Sequence, residues 1–527
     1  MDPKVLRQKI LDLAIRGKLV PQDPNDEPAS VLLERIRQQK QQMVKEGKLK
    51  PKDIKNDSVI FVGEDNLHYE KFADGSVKCI EDEIPFDLPE GWAWERLSNL
   101  ASFSGGKTPS TSRSEYWEGD ILWVTSKDMK SKYITSSQLR LSALGAEQMQ
   151  MYQPDTLLLV TRSGILRHTL PVAILKECAT INQDLKAIIL YMPQLAEYIY
   201  VCLKGMETQL LLKYTKSGTT VENVNFDEFQ KVLLPIPPIQ QIDRIMSSTG
   251  SAESVVSTIE DDKAALADYV VKAKSKILDL AIRGQLVPQD PADEPASVLL
   301  ERIRAEKEEL IKQGKIKRDK KESFIFRGED NSYYEKMGAE VRCIDSELPF
   351  DLPDSWTFAR LKHFSEIVGG GTPKTNIAEY WDGNIPWLTP ADFSGYEKMH
   401  ISAGARTITE LGLKSSSAQM LPKNSVLYSS RAPIGYIAIA ATPVATNQGF
   451  KSVVPYDLAM SPYLFYCLKA ITDDIIQRAT GTTFKEISGS EMAETIIPLP
   501  PIHEQQRIFK KATRLFEVIT TIEKSLS

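Results

Sequence analysis

The sequence predicts an α+β fold in which two mixed α/β domains are joined by two long antiparallel coiled-coil helices. Three observations support this prediction. The segment ILDLAIRGKLV at residues 10–20 returns as ILDLAIRGQLV at residues 277–287, so one unit is used twice. A long stretch without proline separates Pro238 from Pro288. Short strand-like runs between polar loops fill much of each copy.

The two copies share motifs that occur in the same order. LP-x-x-W lies at residues 88–92 and 352–356, GG-x-TP at 105–109 and 369–373, and P-x-PP-I at 235–239 and 498–502. Between residues 125 and 233 the first copy diverges strongly from the second. We interpret this pattern as a constant scaffold that presents two different variable surfaces.

The ends of the chain predict a near-circular repeat with pseudo-two-fold symmetry. Pro237 corresponds to Pro500, so Ser527 corresponds to Ala264, whereas Met1 corresponds to Asp268. The C-terminal segment therefore stops close to the point of the repeat at which the N-terminal segment begins. We expect the two termini to lie close together.

Apolar residues at alternating spacings of three and four predict the coiled-coil helices. The central helix should continue from Pro238 to the stop at Gly284, with a candidate break at Gly250, and the first helix should stop at Gly17. The alternative is an ordinary buried helix pair. The residues expected to pack the helices or to meet a partner are Leu6, Ile10, Leu13, Val256, Ile259, Leu266, Val270, Ile277, Leu280, Ile508, Leu515, Ile519 and Ile522.

These patterns divide the chain into seven predicted segments. They are an N-terminal helix (1–20), a helical lysine-rich segment (21–85), a first variable domain (86–238), a central helix (239–284), a second helical lysine-rich segment (285–349), a second variable domain (350–501) and a C-terminal helix (502–527). Helices are predicted over 30–50 and 297–317. Their lysine-rich ends indicate either phosphate contacts or a solvated helix face.

Composition restricts the class of protein. The 527 residues are 42% hydrophobic and 26% charged, as expected for globular domains. No apolar run reaches the roughly 18 residues of a membrane span, and the first residues lack a signal core, so we expect a cytoplasmic protein. The five cysteines and five histidines are scattered, which predicts neither a disulfide framework nor a metal site. The net charge of −6 does not decide whether the chain binds nucleic acid.

Polar loops of the variable domains carry hydrogen-bond donors suited to nucleic acid. Arg, Asn and Gln pair with bases, whereas Ser, Thr and Lys mostly hold phosphates. The candidates are Lys107, Thr108, Lys127, Arg162, Ser163, Asn182, Gln183, Lys186, Thr219 and Thr220 in the first copy, and Thr372, Lys374, Arg431, Asn447, Gln448, Lys451, Thr482, Thr483 and Lys485 in the second. The repeated Asn-Gln pair is equally compatible with a structural turn, and we expect that role for at least one residue of each pair. The repeated Tyr-Trp pairs, Tyr116/Trp117 and Tyr380/Trp381, are expected to belong to the core.

Motifs for catalysis are missing from the sequence. GGKT at residues 105–108 lacks the first glycine of a phosphate loop, because Ala101 stands there. There is no N-P-P-aromatic motif for methylation of a base amine, no glycine-rich cofactor loop after a first strand and no convincing acid–acid–lysine nuclease pattern. We therefore expect no enzyme activity in this chain.

The doubled unit, its two long helices and the ordered motifs together resemble the specificity subunit of Type I restriction–modification systems. The resemblance covers the whole chain. It implies a non-catalytic DNA-binding subunit with two target-recognition domains, each reading one half of a bipartite double-stranded target. It also implies that the helices dock adenine-N6 DNA methyltransferase subunits, as a pair, and that ATP-dependent restriction and translocase subunits join the complex. S-adenosylmethionine, ATP and Mg would then belong to the partner subunits.

Two other functions remain open from the residues alone. A non-enzymatic scaffold that pairs two partner proteins would fit the slightly acidic balance. A fused restriction–methylation enzyme is opposed by the missing methyltransferase motif.

Overall fold

A computed structural model describes residues 2–216, 221–314, 316, 318, 322–481 and 485–526. The chain forms two compact units, Met1–Asp262 and Lys263–Ser527. Each unit contains one copy of the sequence repeat and combines helices with small sheets, as the predicted α+β class requires.

Unit 1 combines helices and small sheets in one sequence copy. Its helices are α1 (Pro3–Ile15), α2 (Ala29–Lys45), α3 (Leu97–Leu100), α4 (Ala143–Ala146), α5 (Ala196–Gly205), α6 (Glu207–Tyr214), α7 (Phe226–Phe229) and the first part of α8 (Ile239–Ile282). Its strands are β1 (Ser58–Val62), β2 (His68–Phe72), β3 (Val77–Cys79), β4 (Ala93–Arg96), β5 (Ala101–Gly105), β6 (Trp117–Val124), β7 (Tyr133–Ile134), β8 (Leu139–Leu141), β9 (Leu157–Val160), β10 (Arg162–Ser163), β11 (Val172–Leu175), β12 (Ala179–Ile181), β13 (Leu185–Leu190), β14 (Thr215–Lys216), β15 (Glu222–Val224) and β16 (Leu233–Ile236).

Unit 2 contains the rest of α8 and repeats much of this order. Its other helices are α9 (Ala296–Lys312), α10 (Leu361–Phe364), α11 (Glu410–Lys414), α12 (Ser461–Ala470), α13 (Thr472–Arg478), α14 (Gly489–Ala493) and α15 (Ile502–Leu526). Its strands are β17 (Ser323–Arg327), β18 (Tyr333–Met337), β19 (Glu340–Cys343), β20 (Thr357–Arg360), β21 (Ser365–Gly369), β22 (Trp381–Leu388), β23 (His400–Ile401), β24 (Arg406–Ile408), β25 (Val426–Ser430), β26 (Ile434–Ala440), β27 (Ala445–Thr446), β28 (Lys451–Pro455) and β29 (Ile496–Leu499).

The same sheet topology is built twice. Unit 1 has a five-stranded sheet in the order β5-β13-β9-β11-β7, and unit 2 has the corresponding order β21-β28-β25-β26-β23. A three-stranded sheet lies beside each, β12-β6-β8 and β24-β22-β27. The central strands are buried apolar runs such as Leu157–Val160, which is the pattern that predicted strands in the variable domains.

The lysine-rich segments differ from the prediction. Helices α2 and α9 end at Lys45 and Lys312, because Gly47 and Gly314 follow with φ of 72°, a left-handed conformation that stops a helix. The chain then forms the antiparallel sheets β1-β2-β3 and β17-β18-β19. The prediction of helical segments was therefore wrong for their second halves, which form short strands after the lysine-rich runs.

A buried ion pair attaches each added sheet to its variable domain. In unit 1 the Arg96 guanidinium lies 2.7 Å from the Glu70 carboxylate, and the Ser58 hydroxyl donates to Glu70. In unit 2 Arg360 binds Glu335 in the same way. Arg96 belongs to β4 and Arg360 to β20, which are corresponding strands. The sheet β1-β2-β3 of unit 1 and the sheet β17-β18-β19 of unit 2 are therefore attached at equivalent positions of their own units.

The long helix α8 is continuous through Gly250, so the candidate break at that residue is wrong. Helix α8 ends at Ile282, just before Gly284 with φ of +68°, and α1 ends just before Gly17 with φ of +64°. Both predicted stops are confirmed. The propensity cost of one interior glycine, about 1 kcal/mol, is too small to break a helix held by packing.

Within unit 1, α1 packs antiparallel to the first part of α8. Arg7 lies 2.6 Å from Glu253 and 3.0 Å from Glu260, whereas Asp26, further along the chain, pairs with Arg244. The apolar residues Ala14, Ile15, Ile242 and Ile245 belong to one buried cluster. Opposite chain direction follows from the order of these contacts.

Within unit 2, α15 packs antiparallel to the second part of α8. Lys274 lies 2.6 Å from Glu523, and Asp293 lies 2.5 Å from Arg507. The predicted seam residues Val270, Ile277 and Ile519 belong to one buried cluster. The predicted antiparallel packing is therefore confirmed within each unit for these pairs of helices, and the buried seam residues support the coiled coil in part.

The predicted seam residues differ in exposure. Ile10, Val256, Val270, Ile277, Ile508 and Ile519 are buried, Leu6, Leu13, Leu280 and Leu515 are half-buried, and Ile259, Leu266 and Ile522 are exposed. Among the described residues, no helix has the length and apolar character needed to cross a membrane.

Candidate nucleic-acid interface

Four loops of unit 1 meet at one end of its sheets. The Lys107 amide donates to the Ile181 carbonyl at 3.0 Å, which joins the loop after β5 to the loop between β12 and β13. The Asn182 amide donates to the Val124 carbonyl at 3.0 Å, and the Thr161 amide donates to the Asp184 carbonyl at 2.8 Å. These bonds bring in the turn that carries Lys127 and the segment that carries Arg162.

These backbone hydrogen bonds bring together the loops that carry the predicted donors of unit 1. Lys107, Thr108, Lys127, Arg162 and Gln183 are exposed, Ser163 and Lys186 are half-buried, and Asn182 is buried. The Lys186 ammonium lies over the Phe226 ring, 5.5 Å from its centroid. The Ser163 hydroxyl caps the short helical turn that follows it. Both contacts fix these side chains at the edge of the loop cluster.

Two residues hold the glycine loop after β5 against its neighbour. A Cβ at Gly106 would clash with the Asn182 carbonyl oxygen, so a side chain there would force the loops apart. The Trp123 indole donates to the Lys107 carbonyl at 3.2 Å. The repeated GG-x-TP motif thus has a structural cause, the close contact of two backbones.

The structure supports the turn interpretation for the asparagine of each Asn-Gln pair. The Asn182 carboxamide oxygen accepts from the Asp184 amide at 3.2 Å, and that of Asn447 accepts from the Gly449 amide at 2.9 Å. Each Asn therefore stabilises its own turn. Gln183 and Gln448 are exposed and accept a hydrogen bond from the hydroxyls of Thr108 and Thr372, respectively.

Unit 2 builds the same loop cluster. The Gly371 amide donates to the Thr446 carbonyl at 2.9 Å, and the Asn447 amide donates to the Leu388 carbonyl at 2.9 Å. The Trp387 indole donates to the Gly371 carbonyl at 2.8 Å, as Trp123 does to the Lys107 carbonyl in unit 1. Thr372, Lys374, Gln448 and Lys485 are exposed, whereas Arg431, Asn447 and Lys451 are half-buried.

Glu486 is a charged residue of this cluster that the sequence did not indicate. Its carboxylate lies 3.3 Å from the Lys451 ammonium and 3.7 Å from the Arg431 guanidinium. Two of the predicted donors of unit 2 therefore carry an internal partner. The sequence carries no usable signal for this role, because a single acidic residue in a loop forms no recognisable pattern.

Two further expectations concern other residues of the loops. Trp117 and Trp123 pack edge to face at 5.1 Å, as do Trp381 and Trp387. The predicted core position is confirmed for Trp381, which is buried, whereas Tyr116, Trp117 and Tyr380 are half-buried. Thr219, Thr220, Thr482 and Thr483 lie outside the described residues. Over the ranges that the structure describes, no group of His, Cys, Asp or Glu could hold a metal ion.

The chemistry offered by the two clusters is that of recognition. Lysine, arginine, glutamine and threonine side chains provide cations and N–H or O–H donors, which suit phosphates and the edges of bases. Corresponding positions differ between the units. When the two copies are aligned, Lys107 corresponds to Gly371 and Asp184 corresponds to Gly449. The clusters therefore offer two distinct surfaces on one framework.

Comparisons with known proteins find several similar chains. The MjaIX specificity subunit of Methanocaldococcus jannaschii is 45% identical over 159 residues, which cover 30% of this chain and 37% of that relative. The EcoAI specificity subunit of Escherichia coli is 25% identical over 583 residues, covering 99% of this chain and 90% of the relative. The crystal structure of the HsdS subunit from Thermoanaerobacter tengcongensis aligns at 16% identity over 84% of this chain and 94% of that chain, with a TM-score of 0.44.

A family model provides the decisive comparison. The model described as the Type I restriction modification DNA specificity domain matches residues 89–251 and 353–527. The two matches include the loop clusters of both units and together cover more than half of the chain. This chain belongs to the family of Type I restriction modification DNA specificity domains.

Proposed function

We propose that the chain is the specificity subunit of a Type I restriction–modification complex, and that each unit reads one half of a bipartite double-stranded DNA target. The observation that carries this proposal is the loop cluster that is built twice. The close backbone contacts around Gly106 recur around Gly370, whereas several neighbouring side chains differ, such as Lys107 against Gly371. This arrangement supports the recognition of two different DNA half-sites by one chain, one half-site by each unit.

We further propose that the long helices dock a pair of DNA methyltransferase subunits. Support comes from apolar side chains that the helices leave exposed, since exposed apolar patches often mark protein contacts. They are Val255 and Ile259 in unit 1, and Leu266, Tyr269, Val271, Val518 and Ile522 in unit 2. Restriction and translocase subunits would join the same complex.

The chain would contribute recognition and no catalysis. Adenine-N6 methylation with S-adenosylmethionine, and ATP- and Mg-dependent DNA cleavage, would be carried out by the partner subunits. The protein would act in the cytoplasm, where chromosomal and incoming DNA are accessible. We expect the purified chain alone to show no methyltransferase, nuclease or ATPase turnover.

Methylome sequencing of a host with the complete system tests the proposal. We expect one bipartite methylated motif that disappears when this gene is deleted and returns when it is restored. An unchanged methylome after deletion would contradict the proposal. A control with a deleted methyltransferase gene should give the same loss, because both subunits are needed.

Two simple assays separate the alternatives. A protein-pairing scaffold predicts that the assembled complex binds DNA without the steep salt dependence produced by phosphate contacts. A fused enzyme predicts that the isolated chain binds the methyl donor. The specificity-subunit proposal predicts salt-dependent binding by the complex and no methyl-donor binding by the chain.

A further inference from the structure

A threonine–glutamine pair occupies the same place in both loop clusters. We propose that Thr108–Gln183 and Thr372–Gln448 bind the sugar–phosphate backbone of the target DNA, and that base selection belongs to neighbouring positions. This inference rests on the proposed function and assigns roles within the same site.

The pair leaves hydrogen-bond donors available for a ligand. In each unit the threonine hydroxyl donates to the glutamine carboxamide oxygen. Within the described part of the chain, neither glutamine Nε2 donates to a protein atom, so its two N–H groups remain unused. All four side chains are exposed. Each glutamine therefore presents a preoriented, neutral double donor.

The backbone that carries the pair is tightly held. A Cβ at Gly370 would clash with the Asn447 carbonyl oxygen, which mirrors the contact of Gly106 with Asn182. The two asparagines fix the turn immediately before each glutamine. The glutamine donors therefore stand at the same position of each domain.

Identity between the copies excludes a role in telling the half-sites apart. Two domains that read different sequences cannot distinguish them with the same pair of side chains on the same framework. Among the corresponding residues that differ, Lys107 and Gly371, and Asp184 and Gly449, adjoin the pair in sequence, and Lys127 and Ala391 lie in the turns after β6 and β22. These positions can account for different base preferences.

Phosphate is the shared chemical feature that fits the pair best. Phosphate oxygens accept hydrogen bonds from neutral N–H donors at every nucleotide. Bidentate reading of adenine would require both the oxygen and the nitrogen of the glutamine carboxamide. The threonine occupies one of the two acceptor lone pairs of this oxygen, whereas both N–H groups of the glutamine lack a protein acceptor among the residues that the structure describes, so the pair favours donation.

Replacing Gln183 with Glu distinguishes two roles of the pair, which are phosphate binding and a purely structural hydrogen bond between the two loops. The Thr108 hydroxyl can still donate to a carboxylate, but the donors are lost and a negative charge faces the DNA. We expect the assembled methyltransferase complex with Gln183→Glu to bind target and unrelated duplexes about tenfold more weakly, by loss of a hydrogen bond and added repulsion. The ratio of the two affinities and the methylated motif should stay unchanged.

Matched variants complete the experiment. Gln448→Glu should weaken binding similarly, and Gln183→Ala should do so by about threefold, the effect of a single neutral hydrogen bond. Gln194→Glu, an exposed change beyond the opposite end of β13, controls for added charge and should bind as wild type. Melting temperatures confirm that each variant folds.

Two results would overturn the inference. Wild-type binding by Gln183→Glu and Gln448→Glu would show that the pair is only a structural link. Relaxed preference at a defined base pair would show that the pair reads bases. Both results presuppose a bipartite motif for the wild-type complex, so they are distinguishable from failure of the proposed function, which would abolish that motif itself.

Discussion

The Trp92 indole Nε1 donates a hydrogen bond to Oε1 of Gln241 at 2.9 Å, and this bond joins the first variable domain to the first turn of α8. The same N–H lies 3.1 Å from Oε1 of Gln22. In unit 2 the Trp356 indole donates to Glu504 at 3.0 Å. The repeated LP-x-x-W and P-x-PP-I motifs thus form one joint between each domain and its helix.

Replacing Trp92 with Phe should loosen this joint. The aromatic ring is kept, but the buried side-chain oxygen of Gln241 loses its donor. We expect the free energy of unfolding to fall by about 1–3 kcal/mol, the cost of an unsatisfied buried polar group. Urea denaturation followed by circular dichroism measures the change.

A control for the Trp92 variant is Trp117→Phe. The Trp117 indole donates to the Ser110 carbonyl in an exposed loop, where water can replace the lost donor. Its cost should be below about 1 kcal/mol. Equal destabilisation by the two variants would contradict a special role for the Trp92 joint.

Glu95 should make the stability of unit 1 depend on pH. The carboxyl is buried, and burial raises its pKa from 4.5 to about 7, although the Asn99 carboxamide donates to it at 2.6 Å. The folded state therefore keeps this proton to a higher pH than the unfolded state. The stability that the protonated carboxyl contributes is fully present below pH 4.5 and is lost as the pH rises through 7.

Glu95→Gln tests this prediction because glutamine stays neutral and keeps an oxygen for Asn99. The variant should match wild type near pH 4.5 and exceed its unfolding free energy by about 1–3 kcal/mol at pH 8. The exposed Glu90→Gln serves as a control for the loss of one carboxylate. A stability difference that is constant from pH 5 to pH 8 would argue against the raised pKa.

Much of the fold followed from the sequence because repetition and spacing are global signals. The doubled unit, the long central helix and the helix stops at Gly17 and Gly284 all rest on such patterns. The sheets after Lys45 and Lys312 did not, because their strands are short and partly exposed. The salt bridge between Glu486 and Lys451 was also missed, since it joins residues 35 positions apart in sequence by a loop contact without periodicity.

The helix α8 should set the spacing between the two half-sites. Each residue inserted near Ala252 would lengthen the helix by about 1.5 Å and rotate the remainder of the helix by about 100°. An insertion of about one heptad keeps the seam in register and should be tolerated best. We expect methylome sequencing to show a changed non-specific spacer with unchanged half-sites.

Two outcomes of the insertion experiment would contradict this role of α8. An active mutant that keeps the original spacer would show that the helix does not determine the distance. Altered half-sites would show that the helix contributes to base reading. A single substitution at Ala252 that preserves helix length serves as the control and should leave the spacer as it is.

Exchange of one variable domain tests the central claim most directly. Residues 350–500 would be replaced by the corresponding segment of another family member, and the methylome of a host with the complete system would be sequenced. If each unit reads its own half-site, one half of the methylated motif changes and the other half stays as in the wild type. A motif in which both halves change, or neither does, would contradict the claim.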